Sequence, residues 1–229
     1  MASGILFGRQ LVHNEQNIYY VGKHGNDTNS GRSMSDAVLT IAQAIALAAA
    51  QTPAVDNQFT IYGRDSAEYA ESFTLPSWCN LDMRDAGITG NIIISDNSTL
   101  LVGRITLDGA TTAISKTAGA GIAHVNIEQL LLTTGANGIL CTSGSLNIFM
   151  KYGSSDTGYI IGAATTNAVN FVAQTLIVSG AGIAIGLGAA GRLSGTVSTI
   201  DAAAGTALLC AGNGDIDLVA GTINAIGSL

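Results

Sequence analysis

Between residues 125 and 171 the chain reads Val125-Asn126-Ile127, then Leu146-Asn147-Ile148, then Val169-Asn170-Phe171, three copies of an apolar–asparagine–apolar pattern. On an extended strand successive side chains point to opposite sides, so the apolar pair turns inward and the asparagine outward. These triplets belong to a longer series. Leu100, Val125, Leu146, Val169, Leu193 and Ile216 each open a strand-like segment, at separations of 25, 21, 23, 24 and 23 residues. A period of this size marks a chain built by stacking one unit on the next.

A second element recurs inside each unit. Six and seven positions after the opening residue come Thr106-Leu107, Thr175-Leu176, Thr199-Ile200 and Thr222-Ile223, while Leu131-Leu132 and Tyr152-Gly153 break the rule. A parallel ladder runs through Ile93, Ile114, Ile139, Tyr159, Ile183 and Ala207. Gly138, Gly158, Gly182 and Gly205 precede four of these positions, as expected of corners that need positive φ or close packing. Two or three short strands per rung are too short for helix pairs and too regular for a sandwich. The leucine-rich signature and a strict six-residue period are both missing. The expectation is an all-β, single-stacked parallel β-helix of six to seven rungs over 58–229, a rod on the order of 30 Å long.

Composition agrees. Of 229 residues 47% are hydrophobic and 11% charged, with 29 glycines and a mean hydropathy of +0.38. So low a charge leaves Ser, Thr, Asn, Gly and Ala to cover the surface. A net charge of −7 and a pI of 4.6, without a basic run, argue against a nucleic-acid partner. Cys79, Cys141 and Cys210 lie far apart in apolar settings and are expected to be buried free thiols. The start, Met1 to Arg9, has no secretory pattern. From Asp156 to Arg192 no charge intervenes, but Asn167, Asn170, Gln174 and the dense glycine argue for the continuing repeat rather than a membrane span.

Residues 1–57 differ from the rest. A docking segment is expected over 1–17, and a second region over 18–57 begins with the strand Asn17-Ile18-Tyr19-Tyr20-Val21 and the turn-rich Gly25-Asn26-Asp27-Thr28-Asn29-Ser30-Gly31. Ser35 or Asp36 then caps a predicted helix with apolar positions Val38, Ile41, Ala42, Ile45 and Ala49, ended before Pro53. Such a helix would close one end of a solenoid core.

Tyr19-Tyr20-Val21, Gly25-Asn26-Asp27, Asn29-Ser30-Gly31 and Thr40-Ile41-Ala42-Gln43-Ala44-Ile45 together resemble the opening of pectate-lyase-like right-handed β-helix proteins, among which phage tailspikes and tail fibres are common. The likeness continues through Phe59-Thr60-Ile61-Tyr62, Tyr69, Phe73-Thr74-Leu75 and Asn80-Leu81. It covers residues 18–83 by motif and the remainder by rung pattern, and it implies a right-handed winding with an N-terminal capping helix. The chain departs from the family in having Asp36-Ala37-Val38-Leu39 where many members carry proline.

The residues offer little chemistry. Glycoside hydrolysis needs two carboxylates about 5–10 Å apart, and the candidates are Asp82 with Asp85, Asp96 with Asp108, and Asp215 with Asp217. Asp215 and Asp217 are better read as turn or edge solvation, and none of the three pairs is read as catalytic. After Ala110 the basic residues are Lys116, Lys151 and Arg192, none beside an acidic pair as lyase chemistry would want. The Asp27–Gly31 loop has no bidentate glutamate at calcium-loop distance. His13, His24 and His124 sit in unrelated settings, and no nucleophile elbow or phosphate loop is present. Asn26-Asp27-Thr28 and Asn97-Ser98-Thr99 match the glycosylation triplet as short sequences often do.

The expectation is therefore no catalytic, cofactor or metal residues. The chain is expected to be a non-enzymatic bacteriophage virion protein, a tail appendage or head decoration made in the host cytoplasm. It is expected to self-associate, as a homotrimer, to dock on other virion proteins through its N-terminal segment, and to meet host surface polysaccharide. A polysaccharide-degrading tailspike and a bacterial surface adhesin are the alternatives.

Overall fold

The computed structural model describes residues 17–164, 167–188, 191–211 and 213–225. The expected docking segment, apart from Asn17, and His13 with it, lie outside these residues, as does the chain after Ala225.

Each turn of the chain contributes a long and a short strand. The long strands are β2 (Phe59–Gly63), β5 (Cys79–Thr89), β7 (Thr99–Leu107), β9 (Ile122–Leu132), β11 (Ser145–Ser155), β13 (Ala168–Val178), β15 (Arg192–Ala202) and β17 (Asp215–Ala225). The short strands are β4 (Phe73–Leu75), β6 (Ile92–Ile94), β8 (Thr112–Lys116), β10 (Asn137–Cys141), β12 (Tyr159–Ala163), β14 (Ile183–Leu187) and β16 (Thr206–Cys210). Two more, β1 (Ile18–Val21) and β3 (Glu68–Tyr69), complete the set. The long sheet runs β1-β2-β5-β7-β9-β11-β13-β15-β17 with β3 beside β5, and the short sheet runs β4-β6-β8-β10-β12-β14-β16. Every pairing between named strands is parallel, and the two sheets form a β-solenoid of about seven turns.

Register corrects two of the sequence ladders. Leu100 pairs with Val125, but Val125 pairs with Ile148, not Leu146; Leu146 then pairs with Val169, Val169 with Leu193 and Leu193 with Ile216. Leu146-Asn147-Ile148 is thus offset by one side-chain repeat from Val125-Asn126-Ile127, because both phases of an alternating strand look alike. In the short sheet the stacked column is Ile92, Ile114, Ile139, Ile161, Ile185 and Leu208. Ile93 faces outward at 39% exposure, and Tyr159, Ile183 and Ala207 sit one or two places before the column. Each fully buried isoleucine of this column contributes roughly 1.5–3 kcal/mol.

The Thr–apolar pattern also has a structural cause. In β11 the buried residues Leu146, Ile148 and Met150 are followed by two outward residues, Lys151 and Tyr152, before Gly153 turns in again. Ladder pairing passes from Met150 to Tyr152 and skips Lys151. The same doublet recurs as Glu128-Gln129, Gln174-Thr175 and Ser198-Thr199, so it is a corner that divides the long strands β9, β11, β13 and β15 into two arms. Gln129-Leu130 and Tyr152-Gly153 are therefore the true counterparts of Thr175-Leu176, whereas Thr106-Leu107 and Leu131-Leu132 lie beyond it.

Close packing, not positive φ, explains the four glycines: none of them is among the positive-φ residues. A Cβ on Gly182 would stand 2.6 Å from the Gly158 carbonyl oxygen, and one on Gly205 would stand 2.5 Å from that of Gly182. Thr206 donates its N–H to that Gly182 oxygen at 2.9 Å, so the rungs touch backbone to backbone.

The helix α1 spans Ile41–Ala49 and packs on β1, β2 and β4. Its N-cap is Thr40, whose hydroxyl accepts from the Gln43 N–H at 3.1 Å, and not Ser35 or Asp36. The reason is Asp27, whose carboxylate takes the N–H groups of Leu39 and Thr40, both at 2.9 Å, and holds them outside the helix. Val38 instead bridges Val21 as a strand residue. The buried face is consequently Ile41, Ala44 and Ala48, while Ala42 and Ala49 are exposed.

Candidate functional site

The corner of the long strands is regular from β9 onward and irregular before it. Between β5 and β7 the register shifts, so that Arg84-Asp85-Ala86 stand opposite the single residue Gly103. This is a β-bulge, which re-aims side chains at one point of a strand. A Cβ on Gly103 would meet the Ala86 carbonyl oxygen at 3.0 Å and that of Arg84 closer still, so glycine lets the bulge lie flat on the next turn.

Around the bulge opens a groove of about 380 Å³, lined mainly by Ser66, Arg84, Asp85, Arg104, Glu128 and Gln129. Its charges are largely paired. Arg84 donates to both oxygens of Asp82, at 2.9 and 2.7 Å, and Asp82 is buried. That bond raises the Arg84 guanidinium pKa above its ordinary value, against the opposing effect of burial. Arg104 pairs with Glu68, and Glu128 with Lys151 one turn on. Acidic and basic groups thus alternate along the corner from β3 to β11, while Gln174-Thr175 and Ser198-Thr199 continue it without charge. Such an array can hydrogen-bond a hydroxyl-rich ligand through both donors and acceptors.

The carboxylate pairs named from sequence fare differently. Asp82 is closed by Arg84, while Asp85 is exposed and lines the groove. Asp96 forms an ion pair with Lys116, and Asp108 accepts from the Thr133 hydroxyl, so each has its own partner. Asp215 and Asp217 share the outer face of β17, opposite Arg192 and Ser194. Glu128 carries no signal in the sequence, although it joins Asp85 at the groove, because only register brings residues 43 places apart together.

Lys116 is fully buried, and its Nζ donates to Asp96 and, at 3.0 Å, to the Ala118 carbonyl. Burial alone would raise the Asp96 pKa, but the Lys116 bond and the Gly121 N–H overcome it and hold the carboxyl below its ordinary range. Burial pushes the Cys79 thiol up to about 11 and also raises Cys141. Cys210, expected to be buried, is exposed, because it lies in the last short strand with no further rung stacked on it among the described residues.

His24 contacts the Met34 carbonyl oxygen at 2.9 Å, and His124 lies 3.4 Å from Asn147 in an outward polar ladder that continues to Asn170. In the Asp27 loop, Asp27 spends its oxygens on the start of α1, as a hydrogen-bonded turn. Among the described residues no three His, Cys, Asp or Glu side chains cluster to hold a metal ion. The uncharged stretch after Asp156 forms strands β12 to β14, and no helix among the described residues is long and apolar enough to cross a membrane. Comparison of the chain with family models, curated proteins and solved structures finds no match.

Proposed function

We propose that the chain is a non-enzymatic structural part of a bacteriophage virion, a tail appendage or a head decoration that projects a β-helix from the particle. The supporting observation is the parallel ladder that runs from β2 to β17 with one register shift, between β5 and β7, and a short sheet whose one charged side chain among the described residues, Lys116, is buried. In this reading the coil winds right-handed, as the resemblance implies, α1 serves as the lid of its first turn, and residues 1–17 dock on other virion proteins. Copies of the chain associate, as a homotrimer. The corner groove, with its alternating donors and acceptors, faces host surface polysaccharide.

The test is location. Antibody raised against the purified chain should label intact particles of the phage whose genome carries this reading frame, at the tail or on the head surface. Particles that stay unlabelled while the protein is found free in the lysate would overturn the proposal.

One observation favours a second reading, a polysaccharide-degrading tailspike: Asp85 and Glu128 line one groove. Loss of viscosity when the protein is mixed with host polysaccharide, abolished by Asp85→Asn or Glu128→Gln, would establish it. Unchanged viscosity across the host's polysaccharides would remove it.

A further inference from the structure

We infer that Trp78 is a ligand-contact residue, held by a turn that suits a smaller side chain, and that its ligand is the ring of a neutral hexose. The inference rests on the host-polysaccharide reading proposed above and adds a contact outside the corner groove. Trp78 stands immediately before β5, in the turn that Cys79 closes by donating its N–H to the Pro76 carbonyl at 3.2 Å. It fills the third place of that turn with a φ of +65°, while Ser77 before it keeps a negative φ. That is the φ pattern of a type II turn, whose third residue is ordinarily glycine or asparagine.

A left-handed backbone brings Cβ too close to the following carbonyl oxygen, so a bulky residue there is a strained outlier. The next turn of the solenoid shows what the place accepts without strain. Asn80 pairs with Thr99, and two residues before Thr99, as Trp78 is before Asn80, stands Asn97 with φ +56°. Folding alone would choose Asn or Gly at residue 78 as well. Strain of this kind persists where a side chain is needed for something besides the fold.

The indole is free of partners. Trp78 is half-buried, and among the described residues its ring meets no aromatic or cationic group and its Nε1–H makes no hydrogen bond. A tryptophan that serves only packing is covered and has its N–H bonded. Amides occupy the register places on both sides: Gln58, next to Phe59, whose N–H donates to the Trp78 carbonyl at 3.0 Å, and Asn97 on the following turn. An indole face, negative through its quadrupole, accepts the C–H edge of a pyranose, and neighbouring amides offer donors and acceptors to its hydroxyls. Asp96 beside Asn97 is already bonded to Lys116, so amides rather than charges meet the ligand and the hexose is a neutral one.

Trp78 is the chain's single tryptophan, so fluorescence reports on it alone. The full chain is titrated with cellohexaose, maltohexaose and mannohexaose, with emission and calorimetric heat read together. At least one oligomer should shift the emission saturably. Trp78→Asn should weaken that oligomer's binding at least tenfold, with an unchanged circular dichroism spectrum and a urea midpoint no lower than the native one. If the variant misfolds, Trp78→Gly replaces it, and a lowered midpoint in both would make Trp78 a residue of the fold and overturn the inference. Heat without a change in emission, or binding undiminished in the variant, would leave the polysaccharide reading standing and remove this contact. Neither heat nor shift with any oligomer would remove both, while the place of the chain on the particle is decided separately by the antibody. An emission shift produced without sugar, by raising the protein concentration or by deleting residues 1–16, would show the indole covered by a second copy or by the chain's own start, and would likewise overturn the inference.

Discussion

The early and late turns of the solenoid obey one architecture under different constraints. Late turns keep time: from Val125 to Ile148, Leu146 to Val169, Val169 to Leu193 and Leu193 to Ile216 the step is 23 or 24 residues. Early turns do not, since Phe59 pairs with Cys79 after 20 residues, Leu81 with Leu100 after 19, and Leu100 with Val125 after 25. The irregular turns hold the bulge, the groove and the buried Lys116–Asp96 pair; the regular ones hold stacked aliphatic side chains and corners that carry no charge beyond Glu128–Lys151. A repeated rung keeps its ion pairs, Glu128–Lys151 and Arg192–Asp215, out in solvent, because its neighbours supply both the core and the backbone partners. Where the step changes, side chains must fill what backbone no longer matches.

Thiol chemistry gives the largest contrast between the two ends. Cys79, in the second turn, is fully buried and its pKa is pushed up to about 11, whereas Cys210 in the last turn is exposed. At pH 8 Cys210 should react with a disulfide reagent at least about a thousandfold faster than Cys79 and Cys141, which wait for opening of the structure. Equal rates for the three would mean that the early core is no tighter than the end.

Core truncation should follow the same gradient. Ile161 is fully buried between rungs on both sides, so Ile161→Ala should cost about 4 kcal/mol in urea unfolding. Leu208 occupies the same column in the final rung and is only partly buried, so Leu208→Ala should cost about 1 kcal/mol. If the two cost the same, the outermost rung is packed as well as the middle ones.

Ion pairs sharpen the comparison. Asp96→Ala strands a fully buried lysine and should cost about 3 kcal/mol, and the double variant with Lys116→Met should recover most of it. Because the folded state depresses the Asp96 pKa, its contribution is complete above the ordinary value of 3.8 and is lost as pH falls through the folded value. Unfolding free energy measured from pH 5 to pH 2.5 should therefore fall more steeply for the native chain than for Asp96→Asn. Parallel curves would show that the pair contributes nothing to acid sensitivity.

How much of this was legible from sequence depended on whether a feature repeats. The period, the inward columns and the corner glycines recur, so residues such as Val169, Leu193 and Ile216 announce themselves. Phase is harder: an alternating strand reads the same two residues along, which is why Leu146 stood in for Ile148. Helix α1 was visible by its apolar spacing, but its start was set by Asp27, thirteen positions before the Thr40 N–H that it holds. The groove was not legible at all. Its residues come from the loop before β3 and from β5, β7 and β9, and a bulge has no sequence signature beyond the crowding it places on Gly103.

The smallest effect belongs to the ion pair of the last turns. Arg192 and Asp215 face each other across β15 and β17 with nitrogen and oxygen 3.9 Å apart and both side chains mostly in solvent. An exposed pair gains little because water screens it and two side chains must be held still. Asp215→Ala should thus change unfolding free energy by no more than about 0.5 kcal/mol, roughly a sixth of the Asp96→Ala effect. A larger loss would indicate that Asp215 is covered in the assembled protein, and repeating the measurement at concentrations above and below dissociation separates the cases. A cost that appears only in the assembled state places the far end of the solenoid at a contact, whereas a cost independent of concentration places it in the stability of the last rung.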